Sequence, residues 1–560
     1  MGHTVGIDLG TTNSVIAYTE FGRQRAVKVE ESELTSAVLP SCIALKNGEL
    51  TIGAKARRSL DCVREVKRGI GTDATFQLGA EFYGPVELSA MILSRLKQGF
   101  ESAVGPIEGA VITVPANFTD RKRAETREAG RLAGLKVLRL INEPSAAAIA
   151  YARSDRPPGS NAVIIDWGGG TLDVSLIDCL EGVLDVRAND GEERCGGADL
   201  DDAIFSILED KARHQLGDKL DDRSVRNDLM NQCEAIKIHL SSEERWDEPL
   251  NARTARAFVD FELTRTEFEQ AAIPHVNKVL HAVKRCLDKA PEGSVRPEDV
   301  TDVILVGGSC NIPLLKRRVA EFFGQDPRCD LNPMEVVSMG AAYQAEHAHE
   351  AGDLVTLHSL THALGVSCAG PDSKGVLRGN MFAPILEATS KLPAKALHTF
   401  SSMNDDQESI MVQVYEAHVP GETVDDMVHW DSKSIDNLPP GPAGSYPINI
   451  AFDYNIEQQL TVHVEIPGHG ISERWTASHQ DELESTRGES ESKLSALGVG
   501  PVDALKDYAE SVRSKSAVLN TDALEQLRQL DEFVEKGDAD GARSTKAKLA
   551  ETLFDLGISL

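Results

Sequence analysis

Basic residues are scarce in this chain: 58 Lys and Arg stand against 88 Asp and Glu, a formal charge of -30 with a pI near 4.9. Binding a nucleic-acid backbone needs a basic face, so no nucleic-acid partner is expected. Long apolar runs are missing too. No stretch of about eighteen apolar residues is present to cross a bilayer, and no charged-then-apolar leader is read at the amino terminus. No membrane partner is expected, and the expected compartment is the cytoplasm. The nine cysteines contain no Cys-x-x-Cys pair, which argues against a zinc site and against a disulfide framework. Cys195 and Cys310 flank glycine turns, where a thiol is either oxidation-sensitive or, the preferred reading, buried and inert.

What the chain does have is length and glycine turns. Its 560 residues exceed one core, and the length implies roughly three or four units. The central stretch is Asp166-Trp167-Gly168-Gly169-Gly170-Thr171-Leu172-Asp173, between the apolar runs Ala162 to Ile165 and Val174 to Ile177. It reads as strand, glycine turn, strand. Adjacent glycines let successive N–H groups close on an anion, and the bracketing carboxylates suit a nearby cation. Taken alone, such a turn is as often structural as functional. Val5-Gly6-Ile7-Asp8-Leu9-Gly10-Thr11-Thr12-Asn13-Ser14-Val15 repeats the plan, which points to a duplicated fold around one ligand. A third turn, Gly307-Gly308-Ser309, follows the apolar Ile304 to Val306 and precedes a helix start at Pro313.

In chain order, Val27-Lys28-Val29 and Cys42 to Leu45 read as sheet. Lys67-Arg68 is a basic pair that could reach a phosphate or be a solvated charge run. Pro85 opens an amphipathic helix bearing Leu88, Ile92 and Leu96, and Thr119 caps another that runs to about Gly134. Asn142-Glu143-Pro144 joins a strand to an alanine-rich helix. Glu143 there either orients a water or caps the helix dipole.

The turns VGIDLGTTNS, INEPSAAAIAYA, DWGGGTLDVSLI, CGGADLD and LVGGSCNIP, in this order, resemble the DnaK-type seventy-kilodalton heat-shock chaperones. The match extends over roughly the first 350 residues, to LNPMEVVSMGAAYQA. The resemblance implies an α/β fold of duplicated actin-like (ribonuclease H-like) ATPase lobes binding ATP or ADP with Mg²⁺, over residues 1–353. It implies that Gly10, Thr11, Thr12 and Asn13 form a first phosphate hairpin, and Gly168, Gly169, Gly170 and Thr171 a second. It further implies that Asp8, Asp166 and Asp173 orient hydrated magnesium, with Asp173 counted in the catalytic set. Lys67 would offset phosphoryl charge, Glu143 would orient the attacking water, and Thr171 would contact the γ-phosphate. Gly196, Gly197, Gly307, Gly308, Ser309 and Asn311 would complete the nucleotide site, with Glu234, Lys237 and Ser241 at ribose and adenine.

The chain departs from the family where two arginines usually sandwich adenine: it has Ile238 and Asn311. Weaker nucleotide affinity is expected, since each lost stacking contact is worth up to about 1–2 kcal/mol. Ala198 and Trp167 are milder departures. Shortened insertions between Gly71 and Pro85 leave a nucleotide-exchange factor unassigned. Arg139 and Asn142 resemble part of the surface that receives J-domain cochaperones.

Residues 354–359 fall at the family's interdomain linker, where Thr356 and His358 imply weaker docking on the ATPase lobe. Residues 360–475 alternate with a period of two, through Ile410, Val412 and Val414, then Ile448, Ile450 and Phe452, then Leu460, Val462 and Val464. This reads as an antiparallel β-sandwich. By resemblance it is a peptide-binding domain, with Val366, Phe400, Ile410 and Val412 lining a pocket and Ala369 and Met403 forming an arch over an extended apolar peptide. Residues 476–560 are read as an α-helical lid. Its acidic, Ser-rich Gln480 to Lys493 is expected to be a hinge or mobile segment. One helix starts at Thr521-Asp522, carries Leu524, Leu527, Leu530 and Val534, and stops at Gly537. Another starts at Asp538 and carries Leu549, Leu553 and Leu556. The acidic tail motif of eukaryotic cytosolic members is absent.

The leading expectation is an ATP-dependent chaperone of unfolded apolar segments. Its alternatives are a nucleotide-binding interaction protein with slow or no hydrolysis, and a sugar or acetate kinase.

Overall fold

The computed structural model describes residues 2–499 except 31–36, 47, 60, 155–158, 160, 181–182, 193, 291–292, 349–354, 358–359, 361, 389, 418–420, 456–458 and 478–479. Beyond these it describes 521–535 and positions 545, 548, 549 and 552. Two sheets repeat one plan. In the first, His3–Asp8 runs antiparallel to Asn13–Glu20 and parallel to Ile107–Val114. In the second, Ala162–Trp167 runs antiparallel to Leu172–Leu180 and parallel to Asp302–Val306. Every residue of Ala162–Trp167 is buried, which is why Ala162 to Ile165 is continuously apolar rather than alternating. In both sheets the antiparallel pair is joined by a glycine turn, so both turns project from the same end of equivalent strands.

Helices Glu143–Ala152 and Val336–Glu346 lie between the sheets. Ala147, Ile149, Val337 and Ala341 share one core with Val111 of the first sheet and with Ile164 and Ile304 of the second. A Cβ at Gly340 would stand 1.7 Å from the Ala146 carbonyl oxygen, so glycine is what lets these helices approach. The first sheet also packs on helix Pro85–Ala103, whose Leu88, Ile92 and Leu96 are buried as the spacing predicts. Thr119 caps helix Asp120–Leu132 by accepting from the Lys122 N–H at 3.2 Å.

The sequence expectation of a strand at Val27-Lys28-Val29 is corrected: the strand is Arg23–Ala26. The Val27 N–H still reaches the Ile16 carbonyl at 2.8 Å, but the Val29 carbonyl is taken by Arg95 Nη2 at 3.0 Å, so the chain leaves the sheet edge while burying both valines. Of the linker 354–359, Val355–Leu357 pairs in parallel with Val183–Glu192, Thr356 opposite Leu184. A threonine there does not prevent backbone pairing. Residues 354, 358 and 359 lie outside the described residues.

Past residue 360 come two four-stranded antiparallel sheets. Their orders are Leu377–Leu386, Ala363–Pro371, Ser409–Ala417, Val428–Asp436, and Ala394–Ser401, Pro447–Tyr454, Leu460–Ile466, Ile471–Ala477. Val366, Val412 and Val414 from one sheet and Ile448, Ile450, Phe452, Val462 and Val464 from the other form a single core. The alternation in sequence is the alternation of inward side chains.

Gln480 to Lys493, expected as a hinge or mobile segment, is instead part of helix Gln480–Ala496. Its composition lacks an apolar stripe, but distant partners hold it. Arg487 pairs with Glu128 at 3.0 Å, and Glu491 with Arg131 at 2.8 Å, both on helix Asp120–Leu132. Leu494 and Val499 are buried in the core of the first sheet. Helix Thr521–Glu535 buries Leu527 and Leu530 and leaves Leu524 44% exposed. Gly537, Asp538, Leu553 and Leu556 lie outside the described residues, as does the side chain of Val534. Leu549 is buried, and Thr552 Oγ1 donates to Gln526 Oε1 at 3.0 Å. Among the described residues no helix is long and apolar enough to cross a membrane.

Candidate functional site

The four glycine turns meet. The backbone of 195–198 is tied to the second turn: Gly197 N–H to Gly168 O at 3.0 Å, Ala198 N–H to Gly169 O at 2.8 Å, and Cys195 N–H to Gly170 O at 3.3 Å. Ser309 Oγ, from the third turn, donates to Gly168 O at 2.7 Å. The first turn touches the second: a Cβ at Gly169 would stand 1.9 Å from Thr12 Oγ1. Any side chain there would push Thr12 away. The buried Trp167 donates its indole N–H to Cys195 O at 3.2 Å, so this departure from the family anchors the 195–198 loop. Ser41 braces the first turn, its Oγ donating to Gly10 O at 2.8 Å and its N–H to Thr12 O at 2.8 Å.

Beneath these turns sits a buried charge cluster. Lys67, in the short 3-10 turn Val66–Gly69, forms an ion pair with Glu143, the first residue of its helix. Both side chains are less than a tenth exposed, at 6% and 8%. Asp8 ends the first strand and accepts from Thr113 Oγ1 at 3.1 Å, while Asp166 and Asp173 face each other across the second hairpin. Burial, then Glu143, pushes the Asp8 carboxyl up to about 7, against the pull of Lys67 and the Thr113 hydrogen bond. Asp166 is raised well above the usual carboxylate range, by burial and then by Glu143, Asp8 and Asp173. Burial works against the Lys67 ammonium, but Glu143 and Asp8 more than offset it and its pKa rises. Four carboxylates around one ammonium leave excess negative charge, which suits a cation. Among the described residues no three such groups converge closely enough to hold a bare metal ion. Carboxylate oxygens of this kind are the donors that magnesium takes.

The far wall is helix Arg223–Ser242. Lys237 Nζ donates to Gly197 O at 2.7 Å and pairs with Asp201 at 2.8 Å. Ser241 Oγ turns back to Lys237 O at 2.9 Å. Ile238 is 58% exposed and Asn311 is exposed, with its Nδ2 on Gly308 O at 3.2 Å, so neither departure from the family is covered. One residue escaped the sequence reading. Arg57 reaches across to Glu234 at 2.6 Å. Arg68 reaches Gly170 O and Asp199, each at 3.0 Å. The adjacent Lys67-Arg68 pair is therefore not a solvated charge run.

Asn142 does not lie on the open surface expected for a cochaperone contact. It is 5% exposed and accepts from Arg123 Nη2 at 2.6 Å, while Arg139 Nη1 donates to Gln344 at 3.3 Å. In the β region, Val366 and Val412 are buried in the common core. Phe400 and Ile410 pack at its edge, and Ala369 and Met403 are exposed.

The chain matches the family described as Hsp70 protein over residues 4–78 and 63–556. It is 34% identical over 498 residues to the chaperone protein DnaK of Thermosipho africanus (strain TCF52B), covering 86% of this chain and 81% of that protein. It is likewise 34% identical over 478 residues to the chaperone protein DnaK of Thermotoga maritima, covering 82% and 77% of the two chains. With a family match along nearly its whole length and these relatives, this chain belongs to the Hsp70 family.

Proposed function

We propose that this protein is an ATP-dependent molecular chaperone, in which residues 1–353 form actin-like ATPase lobes, 360–475 a peptide-binding β-sandwich and 476–560 a helical lid. The observation that carries the reading is the buried Lys67–Glu143 pair beneath two touching glycine hairpins, beside three aspartates. The first hairpin (Gly10 to Asn13) and the second (Gly168 to Thr171) hold the phosphates with backbone N–H groups. Lys67 faces the charge that builds on the transferring phosphoryl group, and Glu143 orients the attacking water. Thr171 contacts the terminal phosphate. Glu234, Lys237 and Ser241 hold ribose and adenine, with Gly196, Gly197, Gly307, Gly308, Ser309 and Asn311 around them. Asp8, Asp166 and Asp173 hold magnesium through water, and the bound ion supplies charge neutralisation of the phosphates.

Docking of Val355–Leu357 on the second sheet supports coupling between the nucleotide site and the β region. The peptide is an extended apolar segment held by main-chain hydrogen bonds, with Phe400, Ile410, Ala369 and Met403 as its accessible contacts and Val366 and Val412 beneath them. A J-domain protein is the proposed cochaperone. Single-turnover ATP hydrolysis by wild type beside Lys67→Ala and Thr171→Ala tests the reading: hydrolysis in wild type that both variants lose supports it. The exposed Ile238 and Asn311 favour a second reading, a nucleotide-dependent interaction protein with little hydrolysis. Nucleotide binding without turnover in wild type would select it.

A further inference from the structure

Cys42 and Cys62 lie far apart in sequence and touch in the fold. The backbones of Ile43 and Val63 exchange both hydrogen bonds, at 3.0 and 2.7 Å, which sets the flanking residues on one face. There Cys62 packs on the small cluster of Cys42, Ala44 and Ala56, and its thiol donates to the Val63 carbonyl at 3.5 Å. Cys42 is buried, while Cys62 is partly open to solvent with Arg64 beside it. The neighbouring Cys42 thiol, aided by Arg64 and opposed by burial, holds Cys62 down at about 7. The same neighbour and burial push Cys42 far up. Cys195, Cys233, Cys286 and Cys310 are buried and all raised by burial, as inert thiols are.

The pair sits at the root of the candidate nucleotide site. Ser41, next to Cys42, braces the first glycine turn. The Cys42 carbonyl accepts from the Gly53 N–H at 3.0 Å, at the start of the helical turn Ala54–Arg57 whose Arg57 crosses to Glu234. Arg64 Nη2 donates to the Arg57 carbonyl at 3.0 Å. The segment after Cys62 runs straight into Lys67.

We propose that Cys62 is a hydroperoxide-reactive nucleophile and Cys42 its resolving partner, forming a reversible disulfide that staples the segment bracing the first hairpin to the segment carrying Lys67. The Cys62 thiolate attacks one peroxide oxygen: an S–O bond forms, the O–O bond breaks, and the departing hydroxide takes the proton Cys62 released, giving water and a sulfenic acid. The Cys42 sulfur then attacks the Cys62 sulfur: an S–S bond forms, the S–O bond breaks, and the hydroxide leaves as water with the Cys42 proton. Two thiols are oxidised and one hydrogen peroxide is reduced to two waters. Attack falls on Cys62 because it is the more accessible of the two and has Arg64 beside it. The staple encloses the turn that holds Arg57 against Glu234, so oxidation slows nucleotide release. That last consequence rests on the proposed nucleotide site, whereas the thiol chemistry does not.

The test uses the full-length reduced protein, treated at neutral pH with stoichiometric hydrogen peroxide, alkylated, digested and mapped. The expected product joins the Cys42 and Cys62 peptides. Cys42→Ser stops at a dimedone-trapped sulfenic acid on Cys62, and Cys62→Ser leaves Cys42 reduced. Wild type needs no substitution for a parallel measurement: limiting iodoacetamide should label Cys62 several-fold faster than Cys329, although Cys329 is exposed and its thiol is raised by burial of its surroundings. Oxidation or labelling at Cys329 ahead of Cys62, or a Cys42–Cys62 pair that stays reduced, overturns the proposal. Slower release of a fluorescent ADP analogue after oxidation, restored by dithiothreitol, supports the gating. Unchanged release from the disulfide form removes the gating, and failure of the reduced protein to bind the analogue counts against the nucleotide reading alone.

Discussion

Lys67 is an ammonium held out of water among carboxylates, and it stays charged because Glu143 and Asp8 offset what burial costs. In the proposed site its removal withdraws the positive charge assigned to the reacting phosphate. Lys67→Ala is therefore expected to slow single-turnover hydrolysis by about 100-fold while circular dichroism stays unchanged. A variant within twofold of wild type, by about the scatter of such assays, contradicts the assigned role. Ile238 is a second residue with a definite expectation. It is exposed at the rim of the site, so Ile238→Arg meets no packing obstacle and restores a guanidinium for stacking. Titration calorimetry should show ADP affinity rising about tenfold, and no change would locate adenine elsewhere. The residues that sequence alone exposed are those whose chemistry is local. Asp8, Gly10, Asp166 and Gly168 to Gly170 stand between apolar strands, and the turn is written in consecutive letters. Arg57 with Glu234, Arg68 with Asp199, and Cys42 with Cys62 were illegible because each pair is made by folding, across a large loop.

Among the elements, helix Gln480–Ala496 shows why composition misleads. Its acidic, serine-rich letters contain no stripe, yet Arg487 and Glu491 find Glu128 and Arg131, and Leu494 is buried in the first core. Leu494→Asp should release the helix, seen as lost hydrogen-exchange protection over 480–496 with protection of Asp120–Leu132 retained. Unchanged protection would mean that the contact carries no weight. A second contact joins Asp120, in the same helix Asp120–Leu132, to the β region. Burial, then Glu416, pushes its carboxyl up to about 7, opposed by Arg123 and Arg127. The docked form therefore binds the proton more tightly than a freely solvated aspartate would. This contribution to docking is complete below the solvated pKa and is lost as pH rises through about 7. Fluorescence transfer between labels on the first sheet and the β region should fall as pH rises through that value, and Asp120→Asn should flatten the change. A profile of opposite slope contradicts the burial of Asp120 at this contact. The strands were more legible than this helix, because the period of two at Ile448, Ile450 and Phe452 needs no distant partner to be read.

At the scale of the molecule, the two sheets share a core through Glu143–Ala152 and Val336–Glu346, and the first of these helices begins with Glu143 itself. A shift at the proposed phosphate site is thus a shift of a helix wedged between the sheets. The second sheet carries Val355–Leu357 at its edge, which leads directly into the β region. Lys391 on the β region also pairs with Asp185 beside that strand. These contacts make one continuous route from the buried lysine to the proposed peptide site. The most direct test is stopped-flow release of a fluorescent apolar peptide from the full-length protein on mixing with magnesium and ATP. The account predicts release that is fast with ATP and absent with ADP. A peptide that stays bound at the same rate in both, or that never binds, would contradict it.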